Sequence, residues 1–451
     1  MIRDKITAMT EIEITADELV GALLKITLSE PVCILDSCNV GQPGSNRLIA
    51  GLGPVKLVEI TNDDCDKTLE YLSKTVSGDQ ALIFTISYDL GLKMSGIKTR
   101  HEGDDGDFEP DLFCASFDTL IIHDYETQKT SIVGKSEKIH EIQTAILANS
   151  GSRTDRNRNL ASTVKSNFSK SEYLDAVESI KEQIRLGNTY QTNLTQRLTA
   201  KLAPDLDPVV IYEILRHDNP APFSALIKRL DSTVVSTSPE RFFSVDNEWR
   251  LISASPIKGT RRRGQSVEED KRLRQELLAS EKDRAENTMI VDLLRNDLGR
   301  VCDYGTVNVE SLCELIEHTT LFHLVSTVTG ALRNGTTLTD ILKAVFPCGS
   351  ITGAPKLSTM KIIDQIETHN RGLSMGAIGY YIPPRWIDGQ SACIDLSVAI
   401  RTMVIRENIA AFNVGGGIVI DSDPESEYAE SLTKAKALLI AIGANAELNA
   451  R

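Results

Sequence analysis

Apolar and polar residues along this chain change period repeatedly, and the changes lay out its elements. After Ser169, Tyr173, Leu174, Val177, Ile180 and Ile184 recur every three or four residues, the stripe of an amphipathic helix. Ser169 with Glu172 has capping-box spacing, and Gly187-Asn188 predicts the stop. Elsewhere the apolar runs are short, as at 31–35, 81–86 and 189–198, and read as strands. Several come in close pairs: 120–123 with 129–133, 234–243 with 249–254, and 394–401 with 409–414. Such short connections predict antiparallel hairpins. Residues 41–44 read as a turn and 102–107 as a Gly- and Asp-rich loop. Residues 149–169 are polar and without period, a linker or surface loop between a region 1–150 and a region 170–440. The predicted class is α+β, with large sheets covered by helices.

Composition narrows what this fold can serve. The chain has 451 residues, 41% apolar, and a net charge of −14, which disfavours nucleic acid and anionic membranes as partners except through a local patch. No run approaches 18 apolar residues, and the first twenty residues lack a signal-peptide pattern. Eight scattered cysteines form no CxxC pair, which predicts reduced thiols and a cytoplasmic protein.

Candidate chemistry gathers in SPIKGTRRRG and SEKDRAENTMIVDLLRNDLGR. Lys258 stands between Pro256-Ile257 and Gly259-Thr260, where an apolar strand gives way to a basic loop. It is either a solvated lysine beside Arg261-Arg262-Arg263 or a nucleophile. The second role requires a pKa lowered by about 3 units from its usual ~10.4. Asp283 and Glu286 follow on one face of a helix. Glu427 and Glu430 repeat that spacing after Asp423-Pro424, an N-cap followed by a first-turn proline. Acidic residues at a helix start also complement the helix dipole. If the two pairs met, carboxylates ~5 Å apart would repel by roughly 3 kcal/mol at an effective dielectric of ~20. A hard cation such as Mg²⁺ removes that penalty. His323 on a strand reads as a core histidine or a site residue, and Glu240 alone says little. Residues 349–356 have the wrong spacing for a phosphate loop. The bare N–H groups of 415–417 could cradle a carboxylate.

In order, NTYQTNLTQRL, STSPERFF, SPIKGTRRRG, FPCGSITGAPK, GAIGYY, AIRT and GGGIVIDSDPESEYAE resemble the chorismate-utilising enzymes. The resemblance is dense over about 170–440 and weaker over 1–150. It implies two large, mainly antiparallel β-sheets packed together with helices outside. It further implies Mg²⁺ held by Glu286 and Glu430, with Asp283 and Glu427 behind them or acting through water. Gly415, Gly416 and Lys434 would meet the ring carboxylate or metal shell, and Arg401 the enolpyruvyl carboxylate. Gly259, Thr260 and Thr352 would line the ring, His323 would stand beside it, and Glu240 would be general acid or base.

Gln191 stands where isochorismate and salicylate synthases carry a water-activating lysine, which points to ammonia as nucleophile. Lys258 resembles the aminodeoxychorismate synthase component I branch, where anthranilate synthases generally have alanine. The rivals are anthranilate synthase component I and a non-catalytic relative. Nothing in the chain resembles a glutaminase domain, so the implied partner is a separate glutamine amidotransferase subunit. Ser37 and Arg47 resemble the family's tryptophan-pocket region, which leaves a feedback site, a structural site or an empty one. Ser374 replaces a tyrosine that helps hold the enolpyruvyl carboxylate, so another donor fills in or that end binds differently.

Overall fold

The computed structural model describes residues 7–41, 46–62, 64–101, 109–150, 163–204, 206–246, 250–317, 321–386 and 393–444. Its strands form two sheets, one of twelve strands and one of ten, and every pairing among the described residues is antiparallel. Strand alternation explains why the sheets stack. In the strand Ala81–Ile86, Ala81 and Ile83 face one way while Leu82, Phe84 and Ile86 face the other. The first set joins Cys33, Ile49, Phe113, Phe117, Ala225 and Ile227 in a core drawn from both sheets. The second set packs against helices. The outer face of the larger sheet is likewise covered, by the helices Ala16–Ile26, Ser136–Asn149, Pro208–Asp218 and Pro424–Ala441. The result is helices, sheet, sheet, helices, as the α+β reading expects. Both sheets hold strands from 1–150 and from 170–440 in two contiguous blocks, joined where Val32–Asp36 pairs with Phe223–Lys228 and where Ala81–Ile86 pairs with Ala377–Tyr381.

Local signals hold where capping fixes them. The helix Lys170–Arg185 begins with the Ser169/Glu172 capping box and ends before Gly187, which adopts φ +75°. The strands Thr119–Asp124 and Lys129–Lys135 pair as a hairpin. Other readings need correction. The run 234–243 is two strands, Thr233–Ser238 in the larger sheet and Arg241–Asp246 in the smaller. The run 394–401 likewise ends as a strand of the smaller sheet at Val398. The hairpin around Glu407-Asn408 joins instead the strands Thr402–Arg406 and Ile409–Ile418 of the larger sheet. Side-chain alternation carries no mark of which sheet a strand serves, so these crossings escape periodicity, although Pro239 in the first run is a break signal. Arg261 and Arg262 belong to the strand Ile257–Arg262 rather than a loop. Part of the expected linker, Thr163–Ser166, is a strand on the edge of Gln191–Lys201. The expected turn at 42–44, the loop at 102–107 and the turn residues 247–248 lie outside the described residues. Among the described residues no helix is long and apolar enough to cross a membrane.

Candidate active site

The two sheet-to-sheet crossings place two functional side chains. Between Ser238 and Arg241 the chain turns at Pro239-Glu240. The Glu240 N–H donates to Ser238 Oγ at 3.3 Å, and its carbonyl accepts from Val398 N at 3.0 Å. The side chain is 6% exposed, and its Oε1 accepts from Ser350 Oγ at 2.7 Å. Burial pushes the carboxyl above its ordinary range, against the Ser350 hydrogen bond and the charges of Lys258 and Lys434. At the return crossing Arg401 sits at φ +47°, its carbonyl accepting from Thr237 N at 3.1 Å. Burial lowers the pKa of its guanidinium, and no ion pair or hydrogen bond reaches that group among the described residues. Arg401, His323, Ser255 and Ile257 help line a cavity of about 260 Å³. Thr260 Oγ1 meets His323 Nδ1 at 2.9 Å on one side of it.

Lys258 lies in the strand Ile257–Arg262, whose register against Leu321–Ala331 shifts between Ile257 and Thr260. Gly259 inside this bulge has φ +84°, and a Cβ there would stand 3.0 Å from Asp283, so the strand and the following helix touch at this point. The half-buried Lys258 amine makes no hydrogen bond or ion pair among the described residues, while its charge acts on both Glu240 and Glu430.

Two helix starts bring the carboxylates. The helix Glu281–Gly299 is capped by Ser280, and Asp283 pairs with Arg261 at 3.2 Å. Lys282 acts on Glu427 and Glu430, and Glu286, four residues on, shares the Lys282 face. The helix Pro424–Ala441 is capped by Asp423, whose carboxylate accepts from Ser426 N at 2.9 Å. Burial pushes the Glu427 carboxyl up, against a 2.7 Å hydrogen bond from Ser422, and the Glu430 charge adds to the rise. Loss of water around Glu430 works the same way, but Lys434, Lys282 and Lys258 outweigh it and hold its carboxyl low. Lys434 bonds Glu430 at 2.8 Å and the Gly415 carbonyl at 2.9 Å. A Cβ at Gly416 would stand 3.2 Å from Glu427 Oε2 and 3.8 Å from Glu430 Oε1, so both carboxylates lie against the strand at this glycine.

Gln191 is fully buried and neither amide atom has a partner among the described residues. Any side chain at Gly417 would collide with its Nε2. The neighbouring Asn193 Oδ1 is likewise unpartnered. The Thr352 hydroxyl donates to the Cys348 carbonyl at 2.9 Å, while its own carbonyl accepts from Asn193 N. This stretch is pinned by Arg371, which bonds Glu367, the Asn193 carbonyl and the Ile351 carbonyl.

The sequence reading missed Lys282, Ser350 and the Arg371–Glu367 pair. Lys282 could have been found from its four-residue spacing to Glu286; Ser350 approaches Glu240 across 110 residues and left no local signal. Other expected residues stand apart. Ser37 and Arg47 line a separate cavity of about 50 Å³. Ser374 accepts from Asn413 N at 3.2 Å and lines a third cavity, of about 630 Å³, with Arg197, Arg406 and Glu109.

Among the described residues no three His, Cys, Asp or Glu side chains stand at metal-ligand spacing. The site nonetheless offers hard carboxylate oxygens, with Glu427 Oε2 and Glu430 Oε1 both close to Gly416, and that donor set suits Mg²⁺.

Residues 30–440 match the family described as chorismate binding enzyme. The chain is 38% identical over 348 residues to anthranilate synthase component 1 of Aquifex aeolicus, which covers 74% of this chain and 68% of the relative. It is 36% identical over 340 residues to aminodeoxychorismate synthase component 1 of Bacillus subtilis, covering 73% and 70%. Against a Haloarcula marismortui anthranilate synthase component 1 the match, at 43% identity, spans only 55% of the relative. Among solved structures, anthranilate synthase component I from Streptococcus pneumoniae superposes with a TM-score of 0.74 at 28% identity, covering 87% of this chain and 92% of that one. Relatives at about 40% identity thus divide between two activities. The fold and the match along nearly the whole chain agree: this chain belongs to the chorismate binding enzymes, in the family that holds the anthranilate and aminodeoxychorismate synthases.

Proposed function

We propose that the chain is an aminodeoxychorismate synthase component I, converting chorismate and ammonia to 4-amino-4-deoxychorismate for 4-aminobenzoate and folate synthesis. The observation that carries this reading is the Lys258 amine, untied by any ion pair among the described residues yet within the electrostatic reach of Glu240 and Glu430. A nucleophile has to be both positioned and unengaged.

In this mechanism Arg401 holds the enolpyruvyl carboxylate, and Gly415, Gly416 and Lys434 meet the ring carboxylate. Gly259, Thr260, Thr352 and His323 border the ring. Lys258 attacks C2; both ring double bonds shift and the C4 hydroxyl leaves as water with a proton from Glu240. Ammonia then attacks C4, both double bonds shift back, the C2–N bond breaks to return the lysine amine, and the new C4 ammonium returns a proton to Glu240. Two successive displacements place nitrogen at C4 rather than C2. Gln191, uncharged and unable to activate water as a lysine would, fits ammonia as the incoming group. Glu286 and Glu430, backed by Asp283 and Glu427, would hold Mg²⁺, which offsets the charge of the ring carboxylate. Ammonia comes from a separate glutamine amidotransferase subunit. Ser37 and Arg47 form a candidate tryptophan site.

Purified protein given chorismate, Mg²⁺ and an ammonium salt should yield 4-amino-4-deoxychorismate, identified by mass. The second reading, anthranilate synthase component I, draws on the 38% identity to the Aquifex relative. Fluorescent anthranilate as the sole product would establish it and overturn the first.

A further inference from the structure

Glu240 is required to exchange a proton, yet it is buried and its carboxyl has a single hydrogen-bond donor among the described residues. That donor is Ser350, 5% exposed, in the short turn Gly349–Ile351. The turn is itself fastened, by Thr352 Oγ1 to the Cys348 carbonyl at 2.9 Å and by Arg371 to the Ile351 carbonyl at 3.1 Å. Behind the hydroxyl stands Cys348 Sγ, 3.2 Å from Ser350 Oγ.

The three groups can pair in one direction only while Glu240 is ionised. A carboxylate can only accept, so Ser350 donates to it, and the Ser350 oxygen is left to accept from the thiol. Burial pushes the Cys348 thiol up to about 11, so it keeps its proton near neutrality and serves as the outer donor. The charges reaching Glu240 are Lys258, from the strand Ile257–Arg262, and Lys434, from the helix Pro424–Ala441; that of Lys356 reaches Cys348. None of these lysines hydrogen-bonds the Glu240 carboxyl, so orientation falls to Ser350.

We propose that Ser350 is a positioning residue for proton transfer, its hydroxyl aiming the Glu240 carboxyl and favouring the ionised form, with the Cys348 thiol holding that hydroxyl in place. The inference rests on Glu240 as the acid–base group of the proposed reaction. Removing a hydrogen bond made to a charged form raises the pKa of that group.

The test is a set of pH–rate profiles with chorismate, Mg²⁺ and ammonium. Ser350→Ala should lower kcat about tenfold or more with KM within about twofold. It should also move the limb belonging to Glu240 up by about one pH unit. Ser350→Thr, which keeps the hydroxyl, should restore the wild-type limb. Cys348→Ala should shift it the same way by less. A folded Ser350→Ala protein whose limb has not moved overturns the proposal, however much kcat falls. If Ser350→Ala does not fold, an unmoved limb in Cys348→Ala overturns it instead. Glu240→Gln separates the two levels: full activity there sinks the acid–base reading itself, whereas loss of activity with an unmoved Ser350→Ala limb sinks the positioning role alone.

Discussion

Two cavities in this molecule treat charge in opposite ways. In the small one, near Ser37 and Arg47, every charge has a protein partner. Asp36 is bonded by Arg216 Nε and by the Tyr125 hydroxyl, each at 2.7 Å. Arg241 grips Asp395 through two 3.0 Å bonds, and Arg47 pairs with Asp124 at 3.2 Å. In the cavity of about 260 Å³, whose wall the paired Arg241 also joins, the guanidinium of Arg401 has no such partner among the described residues, and nearby Lys258 and the Gln191 amide are also unengaged among them. A buried polar group without a partner costs stability, so a fold retains it where a ligand completes it. The small cavity satisfies its charges internally, and the larger one leaves a cation unpaired among the described residues.

The comparison can be broken most directly at Lys258. Lys258→Ala should lower formation of 4-amino-4-deoxychorismate by at least about 10³-fold, or divert product to anthranilate, with mass spectrometry as the readout. Unchanged rate and product would remove the nucleophile. In the small cavity the large effect should be on folding. Asp36→Ala removes the buried partner of Arg216, which keeps only the exposed Asp17 at 3.3 Å and the Tyr125 hydroxyl, and should cost about 3 kcal/mol in denaturant titration, with kcat nearly unchanged. Arg401→Ala should do the converse: kcat/KM falls about 10²-fold, while the melting temperature holds or rises because no protein contact is lost. A melting temperature that falls steeply would mean that Arg401 is structural.

The smallest effect sharpens the rule by supplying its exception. Asp89 is half-buried with its carboxyl enclosed; one oxygen accepts from Gly372 N at 3.0 Å, and the other has no partner among the described residues. Burial raises its carboxyl to about 7. The folded state therefore binds a proton that the unfolded state releases near pH 4, and stability from this group is lost as pH rises from about 4 to 7. Asp89→Asn should stabilise the protein by about 2 kcal/mol at pH 8 and by nothing at pH 4, read by unfolding at both values. Equal effects at the two pH values would show that Asp89 titrates normally.

Helix starts were the legible part of the site. Ser169 with Glu172, Asp423 with Pro424, and the one-face spacing of Asp283 with Glu286 all rest on contacts within a single turn, so sequence spacing specifies them. Local patterning likewise determined the α+β class and the antiparallel pairing. What it could not determine was where the chain changes sheet. Pro239-Glu240 and Ala399–Arg401 sit inside runs that strand propensity reads as single elements, and it is the packing of two sheets that turns those positions into corners. The hydrogen bond from Ser350 to Glu240, and the approach of Lys258 to Glu430, join segments more than a hundred residues apart. Side-chain period reports which face of an element is buried; only the assembled sheets decide what that face meets.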